Sequence, residues 1–136
     1  IFDSDDERRD GLDVFDIRGS VQPIASWTGL RLDGEATKED NGSKNDSWGG
    51  YIRAAYSFSG DTPWLPSVYY RLAHFSGDDG NGNNGSFDPL NYGFNDWNEW
   101  FIGEILGEYV TSNRNLTTHT VNLRVNPSDS IGVGLY

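Results

Sequence analysis

Along most of the chain, apolar and polar residues take turns. Between Leu12 and Val21, Phe15, Ile17, Gly19 and Val21 fall on one side, with Asp16, Arg18 and Ser20 on the other. Leu30, Leu32, Gly34 and Ala36 oppose Arg31, Asp33, Glu35 and Thr37. From about Trp48 to Phe58, Gly50, Ile52, Ala54, Tyr56 and Phe58 alternate with Tyr51, Arg53, Ala55 and Ser57. Val68, Tyr70 and Leu72 alternate with Tyr69, Arg71 and Ala73, then Val121, Leu123 and Val125 with Thr120, Asn122 and Arg124. Ile131, Val133 and Leu135 open a further segment. Successive side chains of a strand point to opposite faces, so this pattern predicts strands with one apolar side each.

The connections have their own signals. Gln22-Pro23-Ile24-Ala25-Ser26, Ser59 to Pro66 and Asn126-Pro127-Ser128-Asp129 each contain Pro, which cannot continue a ladder, and are predicted as turns. Lys38 to Ser47 is expected to be a polar loop bending at Asn41-Gly42, and Ile1 to Asp10 a charge-rich loop. Only Ser76 to about Leu116 resists the period-two reading. Within it Trp97, Trp100, Phe101, Glu104, Ile105 and Glu108 recur at three- and four-residue spacing, which predicts a short helix near 97–109 capped by Asp96. A strand over Phe101 to Val110 is the rival, and would move the 126–130 turn to the opposite side.

The predicted strands run about 9 to 11 residues, the length of a tilted strand that crosses a bilayer. Short connections (22–27, 59–66, 126–130) alternate with long ones (1–10, 38–47, 76–116), as periplasmic turns alternate with outer loops in bacterial barrels. Trp27, Trp48, Phe58, Trp64, Tyr69 and Phe75 sit near segment ends, as interfacial girdles would. The expected fold is therefore all-β: part of an antiparallel up-and-down transmembrane β-barrel, with one long structured outer loop at about 76–116 carrying a short helix. The expected location is the bacterial outer membrane, with lipid on the apolar side. A soluble antiparallel sheet alternates in the same way and stays open as the other reading.

Composition narrows the field. The 136 residues are 35% hydrophobic and 14% aromatic, with 17 Gly and a mean hydropathy of −0.63. Low hydropathy with many aromatics suits a barrel or a secreted β-sandwich and argues against disorder. There is no Cys, which excludes a disulfide framework and a thiolate metal site. A net charge of −11 without a basic patch argues against nucleic-acid binding. The chain starts without Met and stops inside an alternating segment, so it is read as a piece of a longer protein.

Charge placement sharpens the functional expectation. Arg18, Arg31, Arg53, Arg71 and Arg124 all fall on the polar side of their strands, one per strand, with Tyr69 on the side of Arg71. In a barrel that side is the lumen, and a row of guanidinium groups there would draw anions. Asp16, Asp33 and Glu35 share it and could pair with the arginines across strands.

Other candidate chemistry is thinner. Glu104 and Glu108 could form a glycosidase-like carboxylate pair, but no nucleophile accompanies them, and no enzyme activity is expected. Ser76 to Gly85 is rich in oxygen ligands yet lacks the spacing and closing Glu of an EF-hand. His74 and His119 are too few for a zinc site, so neither metal nor cofactor is expected. The other class of function is a secreted carbohydrate-binding module that uses exposed Tyr69, Trp97 and Trp100.

Several stretches of the second half carry a resemblance. They are YRLAHFSGDD at 70–79, then Phe87-Asp88-Pro89-Leu90-Asn91-Tyr92-Gly93-Phe94, Asp96-Trp97, GEILGEYV at 103–110 and SNRNL at 112–116. In this order the chain from about 66 to 136 resembles the alginate export family of bacterial outer-membrane proteins. The resemblance implies a monomeric barrel with a basic pore that passes a polyuronate. Phe87, Asp88, Pro89, Tyr92, Gly93, Asp96, Trp97, Trp100, Phe101, Glu104 and Glu108 make up the loop motif. In the pore reading the 76–116 loop narrows or gates the outer mouth, with Trp97, Trp100 and Phe101 packing it down and Glu104 and Glu108 anchoring it to lumen arginines. On this reading the partners are outer-membrane lipid and an anionic polysaccharide or other anionic solute.

Overall fold

The computed structural model describes residues 5–78, 80, 84–90 and 114–135. Six strands form one open antiparallel sheet in chain order: β1 (Asp13–Val21), β2 (Leu30–Asp40), β3 (Asp46–Ser57), β4 (Ser67–Phe75), β5 (Leu116–Ser128) and β6 (Ile131–Leu135). Each expected alternating segment is a strand. Among the described residues no helix is long and apolar enough to cross a membrane, which says nothing about crossing by strands. The predicted helix at 97–109, the rival strand over 101–110, and Tyr92, Gly93, Asp96, Trp97, Trp100, Phe101, Glu104 and Glu108 lie outside the described residues.

Two connections differ from expectation. The loop predicted over 38–47 is half strand: β2 continues to Asp40, β3 starts at Asp46, and a short connection of residues 41–45, built on a 3-10 turn at Gly42–Lys44, separates them. Asn41 closes that turn, its N–H donating to Asn45 O and its carbonyl accepting from Lys44 N at 3.2 Å. Polar composition misled here because these strand ends bury polar side chains. The turn predicted at Asn126–Asp129 is likewise shorter, since β5 runs to Ser128 and the reversal is Asp129-Ser130. Val125 pairs with Val133 and Ser128 with Ile131, so Asn126 and Pro127 face the single residue Gly132. Such a bulge accommodates a proline, which has no N–H to contribute to the ladder.

The chain divides into two compact units, one comprising residues 1–17, 36–50 and 74–117, the other 18–35, 51–73 and 118–136. The first has a small mixed core of Leu12, Phe75 and Phe87 with buried Glu39, Asn45, Ser47 and Asp88. Phe75 and Phe87 meet with ring centroids 5.3 Å apart. A Cβ on Gly49 would stand 2.9 Å from Phe75 Cδ1 and 3.0 Å from Phe87 Cε2, so the glycine lets the rings lie against the strand.

In the second unit the usual sidedness of a half-buried sheet is inverted. Tyr51, Tyr69, Arg71, Ala73, Thr120 and Asn122 are buried, whereas Val21, Leu32, Ile52, Val68, Tyr70, Val121, Leu123, Val133 and Leu135 are exposed. Arg71 is 1% exposed and Ile52 64%. Water-facing sheets place their apolar side inward.

Candidate functional site

In the second unit the strands carry five arginines, Arg18, Arg31, Arg53, Arg71 and Arg124, against two carboxylates, Asp33 and Glu35. Period-two geometry puts Arg31, Asp33 and Glu35 on one face of β2, and the neighbouring strands bring Arg18 and Arg53 to them. Asp33 is the hub. Arg53 Nε donates to both of its oxygens at 3.1 Å and Arg53 Nη2 to Oδ1 at 3.0 Å. Arg31 Nε lies 3.8 Å from the same Oδ1. Arg18 Nε lies 3.6 Å from Glu35 Oε2. The Arg53 guanidinium also sits 5.6 Å from the centroid of the Tyr69 ring, within cation–π range.

The geometry therefore separates the expected row into three kinds of arginine. Arg53 is fixed on both sides, by a carboxylate fork and an aromatic face, and Arg71 is buried. Arg18 and Arg31 keep more than half of their side chains in solvent while leaning on a carboxylate. The Arg124 side chain has no ion pair or hydrogen bond among the described residues, and lines a cavity together with Trp64 and Asn126. Asp16, expected to help pair the arginines, accepts a hydrogen bond from Thr37 Oγ1 and makes no ion pair among the described residues. Both residues belong to the first unit.

The opposite face of the second unit bears an apolar groove of about 560 Å³ over Gly19, Gly34 and Ala54, walled by Val21, Leu32, Ile52 and Tyr70. Within the strands of the second unit no Asp, Glu, Lys or Arg falls on that side of the alternation.

The first unit holds a different polar cluster. Glu39 Oε2 accepts from Ser47 Oγ at 2.6 Å, Asn45 Nδ2 at 3.1 Å and the Asp88 amide at 2.9 Å. Asp88 in turn accepts from Arg9 Nε at 2.8 Å and Nη2 at 2.7 Å, and from the Leu90 amide at 3.1 Å. Arg114 Nη2 stands 3.9 Å from Asp88 Oδ1. Burial alone would raise the Asp88 pKa. The Arg9 hydrogen bonds, the Leu90 amide and the charges of Arg9 and Arg114 outweigh it, and hold the carboxyl below its ordinary value of 3.8. The motif residues Phe87, Asp88 and Pro89 are thus a docked segment, with the first two buried.

Arg9, Glu39, Asn45 and Ser47 were not expected to matter. The available signal was a pair of arginines in an acidic opening loop, and a Glu on the apolar-poor end of a strand. Asn41 adds to it, its side-chain amide donating to Arg8 O at 3.0 Å and Asp10 O at 2.8 Å. Among the described residues no cluster of three His, Asp or Glu could hold a metal ion.

Comparison with known proteins found no matching family model, no matching curated protein and no matching solved structure.

Proposed function

We propose that the chain is part of an outer-membrane β-barrel that conducts anionic solutes, acidic polysaccharides among them. The inverted sidedness of the second unit carries this reading. An exposed apolar face of nine large side chains is costly in water and favourable against lipid, at roughly 25 cal/mol per Å² of apolar surface. Its partner face, rich in arginine, suits a water-filled lumen. The open sheet fits as well, because an unpaired edge is removed when further strands close a barrel.

The arginine excess supplies the selectivity. Five guanidinium groups against two carboxylates leave a local positive surplus on a chain whose net charge is −11. Asp33 and Tyr69 hold Arg53 in one place, while Arg18 and Arg31 reach into solvent where a passing carboxylate would meet them. The resemblance of residues 66–136 to the alginate export family supports a polyuronate as one such solute.

The test is single-channel conductance of the complete parent protein in a planar bilayer, with and without polyuronate. Anion-selective current, blocked by polyuronate and less anion-selective in Arg53→Ala, is the expected result. Anion current without block would retain the pore and remove the polysaccharide. Absence of current from correctly folded protein would overturn the pore and leave a carbohydrate-binding sheet.

A further inference from the structure

The β3–β4 turn and the β5–β6 reversal together form an open cavity of about 600 Å³ lined by Trp64, Arg124, Asn126, Ser128, Asp129 and Gly132, among others. Several independent features converge on it. Trp64 and Leu65 are consecutive non-glycine residues in the left-handed region, with φ of 63° and 42°. Strained backbone of this kind persists only where its surroundings enforce it, and clusters at functional sites. One enforcing contact is visible: the Asn126 amide donates to Trp64 O at 2.8 Å. Asn126 is itself part of the bulge opposite Gly132, a device that re-aims side chains.

The result is a shaped surface. The indole of Trp64 is presented to solvent with 61% of the residue exposed. A Cβ on Gly132 would lie 3.2 Å from both Arg124 Nη2 and Asn126 Oδ1, so those two polar groups converge over the bare glycine backbone. Arg124 is the strand arginine that has no ion pair among the described residues, so its charge is available to a ligand.

We propose that this cavity is a binding subsite for a sugar acid. Trp64 offers a flat apolar platform for the C–H face of a pyranose ring. Arg124 pairs with the ring carboxylate in the forked geometry guanidinium favours. Asn126 and the Ser128 hydroxyl exchange hydrogen bonds with ring hydroxyls, and Asp129 accepts from them. The choice of a sugar acid rests on the pore reading, whose arginine row includes Arg124, but the subsite requires neither a closed barrel nor a current.

Calorimetric titration of the complete parent protein with tetramers of galacturonate, glucuronate and mannuronate tests this, with maltotetraose as the neutral comparison. At least one acidic tetramer should bind. Trp64→Ala should weaken it about tenfold or more, as truncating a central aromatic anchor does, and Trp64→Phe should weaken it less. Arg124→Gln should remove the preference for acidic over neutral sugar. Circular dichroism establishes that each variant folds, and should Trp64→Ala not fold, Trp64→Phe and Arg124→Gln still decide. Affinities unchanged in the folded variants, binding of no acidic tetramer, or equal loss for acidic and neutral sugar in Arg124→Gln would each overturn the subsite. Conductance is a separate readout: anion current with no effect of Trp64 on binding removes the subsite alone, and Trp64-dependent binding without current removes the pore alone.

Discussion

Asp33 and Asp88 are both nearly buried aspartates clamped by arginine, yet they belong to regions built for different ends. Around Asp33 the partners are Arg31 from its own strand and Arg53 from the adjacent one, and with Arg18 beside Glu35 they reach partly into solvent and outnumber the carboxylates. Around Asp88 they come from segments far apart in sequence, Arg9 and the Glu39 strand end, and the two carboxylates face two arginines, Arg9 and Arg114. The first arrangement leaves a field and the second leaves a fastening. An arginine on a carboxylate can therefore serve as an electrostatic wall or as a latch. What separates the two is the surplus of charge and the exposure of the cation rather than the length of the hydrogen bonds.

Substitutions at the two hubs should pull this contrast apart. The largest effect is expected for Glu39→Ala in the fastening. It strands the Ser47 hydroxyl, the Asn45 amide and the Asp88 N–H in a buried site, at about 3–5 kcal/mol from several unsatisfied donors. Denaturant unfolding of the parent protein would measure it, and a loss under about 1 kcal/mol would mean that water reaches the cluster. Asp88→Asn comes next, at about 2 kcal/mol, since it removes the charge from two arginine hydrogen bonds while keeping the shape. Limited proteolysis should then cut the 84–90 segment faster, while ion selectivity should be unchanged.

Acid probes the same latch without mutation. The folded pKa of Asp88 is depressed, so its contribution is complete above the ordinary carboxylate value and disappears as pH falls through the lower folded value. Stability attributable to Asp88 should be flat from neutral pH to about 4 and fall below that. Comparing the acid limbs of native protein and Asp88→Asn isolates it: the variant's limb should be shallower, and parallel limbs would remove Asp88 as the cause.

The smallest effect on stability, and the largest on current, is expected for Asp33→Asn in the wall. Arg31 and Arg53 lose their counter-charge but keep solvent access, so the cost in stability should stay near 1 kcal/mol. Anion selectivity should rise, the reverse of Arg53→Ala. A fall in selectivity would mean that Asp33 positions Arg53 for the solute more than it neutralises it.

The alternating strands were readable because a sheet's periodicity is local: each residue's side is set by its own place in the chain. That is why Arg18, Arg31, Arg53, Arg71 and Arg124 could be assigned to one side, and why all six segments are strands. The ends of β2 and β3 were not readable, because Glu39, Asn45 and Ser47 look like loop residues until the Asp88 amide arrives from a distant segment to satisfy them. The division of the arginines into clamped, leaning and unpaired also needed the register between strands, which a one-residue slip would have rearranged completely.

Sequence by itself determined the all-β class, the polar and apolar sides and the surplus of positive charge on the polar one, since each follows from residue identity and a period of two. Tertiary structure alone decided that Asp33 gathers two arginines, that the FDPL segment docks through Asp88 onto Glu39, and that a strained Trp64 turn meets the bulge at Asn126. The reason is physical: apart from Arg31 with Asp33, those contacts join residues tens of positions apart, and their energy depends on distances and burial that exist only once the strands have paired.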